Sequence, residues 1–292
     1  MNHCLRDRLE QRLRELPVLP HSLVKLLAVD SKSPEFFDAL VEVVEIEPGF
    51  ASRILAVANS AVSASQAPVT TIRAAVARIG ARGASDLVMA LSVTRVFVPH
   101  DAWEKSLWRH ALQVAIAARE LVRLLPETTI DPDEAYVAGL LHDVGRFVLF
   151  QEGPEELRAV DEGSWDTPAG LLAEEREICG LTHAELGALA CERWKLPDRI
   201  RECVRHHHDP AKGEPRTTLE ELIRIVRVAD LAMFPSALPG SRRLEDESDE
   251  VVRARLANAL PALANLPSEQ LRAFLHEVGE RETQILHSLG LV

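Results

Sequence analysis

From Ala111 to Leu125 the chain runs through Ala, Leu, Val and Ile with scattered polar residues and neither glycine nor proline. Helical periodicity is strong there and returns from Asp133 to Leu141, which commits this stretch to helices packed in a core. Leu, Ala, Val, Arg and Glu dominate elsewhere, there is one Tyr, and β-branched runs bounded by turn residues are scarce. An all-α, multi-helical fold is therefore predicted. With 47% hydrophobic residues in 292, the chain can fill a substantial core as one large or two modest domains.

The formal net charge of −12 repels a phosphate backbone over most of the surface, and no long Lys/Arg run provides a counter-patch. A nucleic-acid partner is not expected. A small phosphorylated ligand is compatible with this charge, because a bound divalent cation inverts the local field. Arg6, Asp7, Arg8, Glu10, Arg12, Arg14 and Glu15 crowd the first twenty residues, and no stretch approaches a membrane span, so a cytoplasmic protein without membrane attachment is expected. Cys4, Cys179, Cys191 and Cys203 lack paired spacing, and free thiols are predicted rather than a disulfide.

Three parts follow from the pattern. Residues 1–100 read as a helical lobe of short amphipathic elements punctuated at Leu19-Pro20-His21, Lys32-Ser33-Pro34 and Glu47-Pro48-Gly49, with helices starting at Pro34 and Pro48. This lobe carries no catalytic constellation, which makes it the candidate surface for a signalling partner. Residues 101–235 hold the clustered histidines. Residues 236–292 form a charged linker around Gly240 to Glu250, then helices at roughly 249–264 and 268–288, the second opened by Pro267-Ser268 and closed by Gly290.

The polar pair His142-Asp143 ends an apolar helix in Ala138-Gly-Leu-Leu-His-Asp-Val-Gly-Arg146. An imidazole and a carboxylate side by side reach one ion near a helix end, and Gly145 lets the chain turn away without a Cβ clash. Alone, such a pair is better read as a helix-terminal His with a solvated Asp. Four further elements change the balance. His110 sits in an Ala/Leu/Val-rich helix, His183 follows the potential cap Thr182, His207 and His208 end a helix, and Asp230 lies deep in an apolar stretch where burial without a partner is costly. Each has a bland account as a core histidine, a cap or a surface cluster. Seven metal-capable groups on five helices of one lobe point together to a site for one or two divalent cations, with Asp143 as the bridge. Successive helix residues diverge by about 100°, which predicts that His207 and His208 serve different ions. Such N/O ligands suit iron, manganese, nickel, zinc or magnesium.

The order of His110, His142-Asp143 and Asp230 resembles the HD superfamily of metal-dependent phosphohydrolases, and His183 with His207-His208 is similar to the second-metal ligands of its HD-GYP branch. Leu16-Pro-Val-Leu-Pro20, Glu47-Pro-Gly-Phe50, Arg53 to Ser60 and Trp194-Lys-Leu-Pro197 are similar to the HDOD family, over about residues 14–235. That resemblance implies an HD-type helical core and a regulatory, signal-transducing role; the ligand set implies an alternative, an active metal-dependent phosphohydrolase. Arg146 stands where the family motif commonly has lysine, and nothing after His208 resembles the GYP loop, so cleavage of cyclic di-GMP is not implied.

Asp143 is the candidate catalytic carboxylate, and Arg146 is a candidate phosphate fork, with a surface ion pair as its equal alternative. Arg201 and Arg205 read as a solvated helix face. Cys203, four residues before His207, reads as a buried inert thiol, and His206 as packing or exposed. Trp194 reads as a core anchor, and Asn59-Ser60 as local hydrogen bonding at a helix end.

Overall fold

The apolar stripes set out above fold as helices throughout the described residues of the computed structural model, and these residues include no strand. The structure describes residues 2–17, 19, 24, 26, 27, 29–60, 68–125, 127–163, 165, 167–210, 213–233, 248–260 and 263–291. Pro20, His21 and residues 240–247 of the proposed linker lie outside them, as does the side chain of Cys4. No helix among them is long and apolar enough to cross a membrane.

Contacts divide the chain into two units, residues 1–16 with 99–282, and residues 17–98 with 283–292. The division is not linear. Helix α1 (Asn2–Glu15), which a boundary at residue 100 assigns to the N-terminal lobe, groups with the later residues. The reason is its stripe of Leu5, Leu9 and Leu13, four residues apart on one face and all buried.

In the unit of residues 17–98, α2 (Glu35–Ile46), α3 (Pro48–Ala58), α4 (Ile72–Ile79) and α5 (Ala81–Thr94) pack on one another. Pro48 occupies the first turn of α3, where its missing N–H costs nothing, and Phe50, Ile54 and Ala58 bury one face. Pro34 is the residue before α2 rather than within it. Asn59 ends α3 as expected, its backbone N–H donating to the Leu55 carbonyl at 3.1 Å, but its side chain does not bond locally. Its amide pairs with both the N–H and the C=O of Val69, at 2.8 and 2.9 Å, and ties the end of α3 to a residue ten positions on.

The other unit holds α6 (Ala102–Leu124), α7 (Pro132–Leu141), α8 (Val144–Glu152), α9 (Pro154–Asp161), α10 (Pro168–Cys179), α11 (His183–Arg193), α12 (Asp198–His206), α13 (Thr218–Met233) and α14 (Asp249–Ala259). Helix α15 (Ser268–Leu289) contributes its residues through Glu282, and Gly290 follows it at φ 71 in the left-handed region. The starts of these helices were written locally. Asp101 accepts from the Glu104 N–H at 2.8 Å, Asp131 from the Asp133 N–H at 2.8 Å ahead of Pro132, and Thr182 forms a capping box with Glu185.

Helix α6 is the axis of this unit, packed against α7 and α13, with buried residues on nearly every side. Gly139 brings α7 onto it. A Cβ there would stand 2.8 Å from the Ala115 Cα and 2.9 Å from the Val114 carbonyl oxygen, both backbone atoms that cannot swing aside. Ala is the better helix former by about 1 kcal/mol, but overpacking against backbone costs about 1–3 kcal/mol. Gly139→Ala is therefore expected to lower the urea midpoint despite its propensity gain; an unchanged or raised midpoint refutes this close approach.

Candidate metal centre

The seven predicted side chains converge. His110 projects from the middle of α6, His142 is the residue at the C-terminal end of α7, and Asp143 immediately precedes α8. His183 opens α11, His207 and His208 follow α12, and Asp230 comes from α13. His110, His142, His183, His207 and Asp230 are buried.

Asp143 lies between two sets of imidazoles. Its Oδ2 is 3.5 Å from His142 Nε2 and 3.9 Å from His110 Nε2, while its Oδ1 is 3.2 Å from His183 Nε2 and 3.7 Å from His207 Nε2. Asp230 completes the first set, with Oδ1 at 3.1 Å from His110 Nε2 and 3.7 Å from His142 Nε2, and its Oδ2 is 3.7 Å from His208 Nδ1. Ligand atoms of His110, His142 and Asp143 form one compact cluster, and those of Asp143, His183, His207 and His208 a second. His207 and His208 thus share a cluster, against the expectation that they serve different ions. The 100° divergence holds only inside a helix. These two lie in the turn after α12, where their rings approach to 4.0 Å between centroids.

Ring orientation is settled by the opposite nitrogen. His142 Nδ1 donates to the Gly139 carbonyl at 2.7 Å, and His207 Nδ1 to the Val204 carbonyl at 2.7 Å. Each bond occupies a carbonyl near a helix end and leaves Nε2 as the inward-facing lone pair. His183 Nδ1 faces a carboxylate instead, Glu175, at 2.7 and 2.8 Å to its two oxygens. Glu175 was missed by the sequence reading because it stands in the charged run Glu174-Glu175-Arg176-Glu177. A signal was nonetheless present: it lies four residues after Leu171 and four before Cys179, on the one stripe of α10 that is buried.

The electrostatics describe a site organised around positive charge. The Asp143 and Asp230 carboxyls are held well below their usual range; burial opposes this, and the surrounding imidazoles overcome it. His142 is also opposed by burial, yet Asp143 and Asp230 push it up to about 9. His183 is raised by Glu175 and Asp143 against burial, whereas burial lowers His207 and, further, His208. His183 Nε2 and His207 Nε2 are 3.3 Å apart, so without a cation the raised His183 supplies the proton and His207 accepts it.

Even so, His110 Nδ1, His142 Nε2, Asp143 Oδ1 and His208 Nδ1 are buried without a hydrogen-bond partner. Buried polar atoms left unpaired cost about 1–3 kcal/mol each. Three of them, His142 Nε2, Asp143 Oδ1 and His208 Nδ1, face the cluster and fit a divalent cation, which takes N and O donors and displaces the protons; His110 meets the cluster through Nε2 instead.

Two readings of neighbouring residues change. Gly145 does not end a helix with a turn; it lies inside α8. A Cβ there would overlap the His183 carbonyl oxygen and press on the Gly187 N–H, so its role is to seat α8 on the start of α11 and bring Asp143 to His183. Arg146 is neither a surface ion pair nor free to grip a phosphate. It is buried, hydrogen-bonded to Asp161, and 3.8 Å from Glu175. His206 is partly exposed and paired with Asp209 at 3.0 Å, and Arg201 with Asp198 and Glu202. Trp194 is fully buried, as expected of an anchor.

A family model, the HDOD domain, matches residues 16–210 of this sequence. An uncharacterized protein of Treponema pallidum is 27% identical over 201 residues, which is 68% of this chain and 38% of that one. The chain thus spans well under half of that relative's length. A solved structure of a candidate phosphohydrolase from Shewanella amazonensis superposes with a TM-score of 0.69 at 24% identity, covering 96% of this chain and 97% of that one. A candidate signal transduction protein from Marinobacter aquaeolei gives 0.66 at 23% identity, covering 99% and 66%. At these identities the structures share the fold.

Cys179, Cys191 and Cys203 are buried free thiols; burial pushes the first two up to about 12 and Cys203 further. Iodoacetamide at mildly alkaline pH is expected to leave all three unmodified in the native chain and to alkylate them after unfolding, read by peptide mass spectrometry. Native alkylation of Cys203 at a rate near that of the unfolded chain contradicts its placement in the core.

Proposed function

The chain belongs to the HDOD domain family, and on that premise we propose that it is a signal-transduction module whose working part is a centre for two divalent cations bridged by Asp143. The observation that carries this reading is the division of one carboxylate between two imidazole sets, His110 and His142 at Oδ2, His183 and His207 at Oδ1. Asp230 joins the first half and His208 the second. Iron, manganese, nickel, zinc or magnesium all suit these donors.

Bound there, such cations supply Lewis-acid polarisation of a phosphoryl group and neutralise its charge. The chain's own part is to orient the donors through Gly139, Val204 and Glu175, and to keep water away from all but one edge. The donors least shielded from solvent, which mark that edge, are Asp143, whose side chain is 13% exposed, and His208 at 7%. A small phosphorylated ligand is assigned to this opening. A signalling partner is assigned to the N-terminal lobe, which carries none of the metal-centre residues, and the cytoplasm is the compartment proposed for both.

A second reading is hydrolysis: the module is itself a metal-dependent phosphohydrolase. The exposure of Asp143 favours it, because solvent reaches the residue shared by both halves. Among phosphate esters, nucleic acid is disfavoured by the net charge of −12.

Elemental analysis of protein purified without chelator, or reconstituted with iron, manganese or nickel, is expected to give about two ions per chain, with Asp143→Ala losing at least one. No bound metal in any preparation rejects the centre. Turnover of cyclic dinucleotides, nucleotides or simple phosphodiesters that disappears in Asp143→Ala selects the hydrolase; two bound ions without turnover select the signalling module.

A further inference from the structure

The two halves of the centre are unequal in charge. Around Oδ2 of Asp143 the donors are His110, His142 and a second carboxylate, Asp230. Around Oδ1 they are three imidazoles, His183, His207 and His208, and the shared Asp143 is the one carboxylate in that cluster. A dication in the second half therefore meets less negative charge, and in a buried setting that difference weighs heavily.

Behind His183, however, stands a carboxylate with no exposure to solvent. One oxygen of Glu175 accepts the His183 backbone N–H at 2.8 Å and faces Nδ1 at 2.7 Å; the other faces Nδ1 at 2.8 Å. His142 and His207 are oriented by neutral carbonyls, and His110 Nδ1 has no hydrogen-bond partner. Of these imidazoles, His183 alone is backed by a charge. Arg146 reaches Glu175 at 3.8 Å and is itself held by Asp161, which fixes the carboxylate and draws off part of its charge. The chain thus carries a row of four charged or chargeable groups, Asp161, Arg146, Glu175 and His183, ending at Nε2 beside Asp143.

Resting on the two-cation reading above, we propose that Glu175 is a positioning residue that lends its charge through His183 to the carboxylate-poor half of the centre, and so sets the affinity of that half for its cation. A carboxylate accepting from Nδ1–H raises the basicity of Nε2, and loss of such support costs about 10- to 100-fold in metal affinity. The competing account is structural. The His183 N–H is one of the spare donors at the start of α11, and Glu175 could serve merely to satisfy it.

Cobalt(II) titration of the full chain, followed by its visible d–d bands, separates the two. The unaltered protein should take up two ions in resolvable steps, and His110→Ala should leave the step of the His183 half. Glu175→Gln keeps size and an acceptor oxygen but removes the charge. It is expected to weaken the His183 step by about 10- to 100-fold, to shift that step's d–d bands, and to leave the other within about twofold. A structural role would instead lower the thermal midpoint of the cation-free protein and weaken both steps alike, which overturns the inference. Should Glu175→Gln not fold, Asp161→Asn carries the test: Arg146 then leans more fully on Glu175, and the same step should weaken several-fold. An unchanged step in that variant also overturns it. Fewer than two ions on the unaltered chain reject the two-cation reading and this inference together; two steps indifferent to Glu175 reject the inference alone.

Discussion

A carboxylate that is nearly buried and caps nothing governs this molecule. Asp143 occupies the position before α8 where an aspartate ordinarily bonds the spare N–H groups of the helix that follows, yet its side chain makes no such bond. It is turned inward, and an ionised carboxylate there costs several kcal/mol unless positive charge is brought to it. Neutral imidazoles do not supply that charge. Protons on His142 and His183 do so in part, and divalent cations would do so with less compromise, because they would also satisfy buried nitrogens that have no hydrogen-bond partner.

Bringing imidazoles to that point from distant parts of the chain is accomplished with helix ends and glycines. His142, His183 and His207 all stand at helix termini, where spare backbone groups are available to hold the outer ring nitrogen or the local N–H. Gly139 allows α7 against α6, which brings His142 to His110. Gly145 and Gly187 face one another across α8 and α11, which brings Asp143 to His183. Each contact is between backbones, so the donors, in or directly beside helices, are positioned by packed helices.

The parts of this arrangement that could be read from sequence were those with local causes. The helical class followed from composition and period, and the start at Thr182 from capping chemistry within a turn. The ligand types were legible because imidazoles and an aspartate in apolar helices demand a reason. What escaped depended on distance through space. Gly145 looked like punctuation because its neighbour is a helix packed from more than thirty residues on, and Arg146 looked like a substrate contact because Asp161 and Glu175 were not visibly near it. Glu175 was hidden by its charged neighbours, although its spacing from Leu171 and Cys179 placed it on the buried face. The partition of His207 and His208 failed for a finer reason: α12 ends at His206, two residues short of His208, so helical geometry holds neither ring.

Signalling and hydrolysis need not be rival explanations of one centre. Donors in α6, α11 and α13 and at the ends of α7, α8 and α12 meet there, so a bound cation would tie these helices together. A ligand at about 100 times its dissociation constant adds about 2.7 kcal/mol to the state that binds it, a large share of the roughly 5–15 kcal/mol by which domains are stable. A phosphorylated molecule of the kind proposed above, sharing those cations, would bias the same packing, and by linkage its own affinity would depend on their occupancy. Held without reaction, it is a signal that lasts as long as it is bound. Cleaved, it would be a signal that ends itself, and on the proposed reading the difference between the two would lie in whether a nucleophile gains access at the Asp143 edge rather than in a different set of donors.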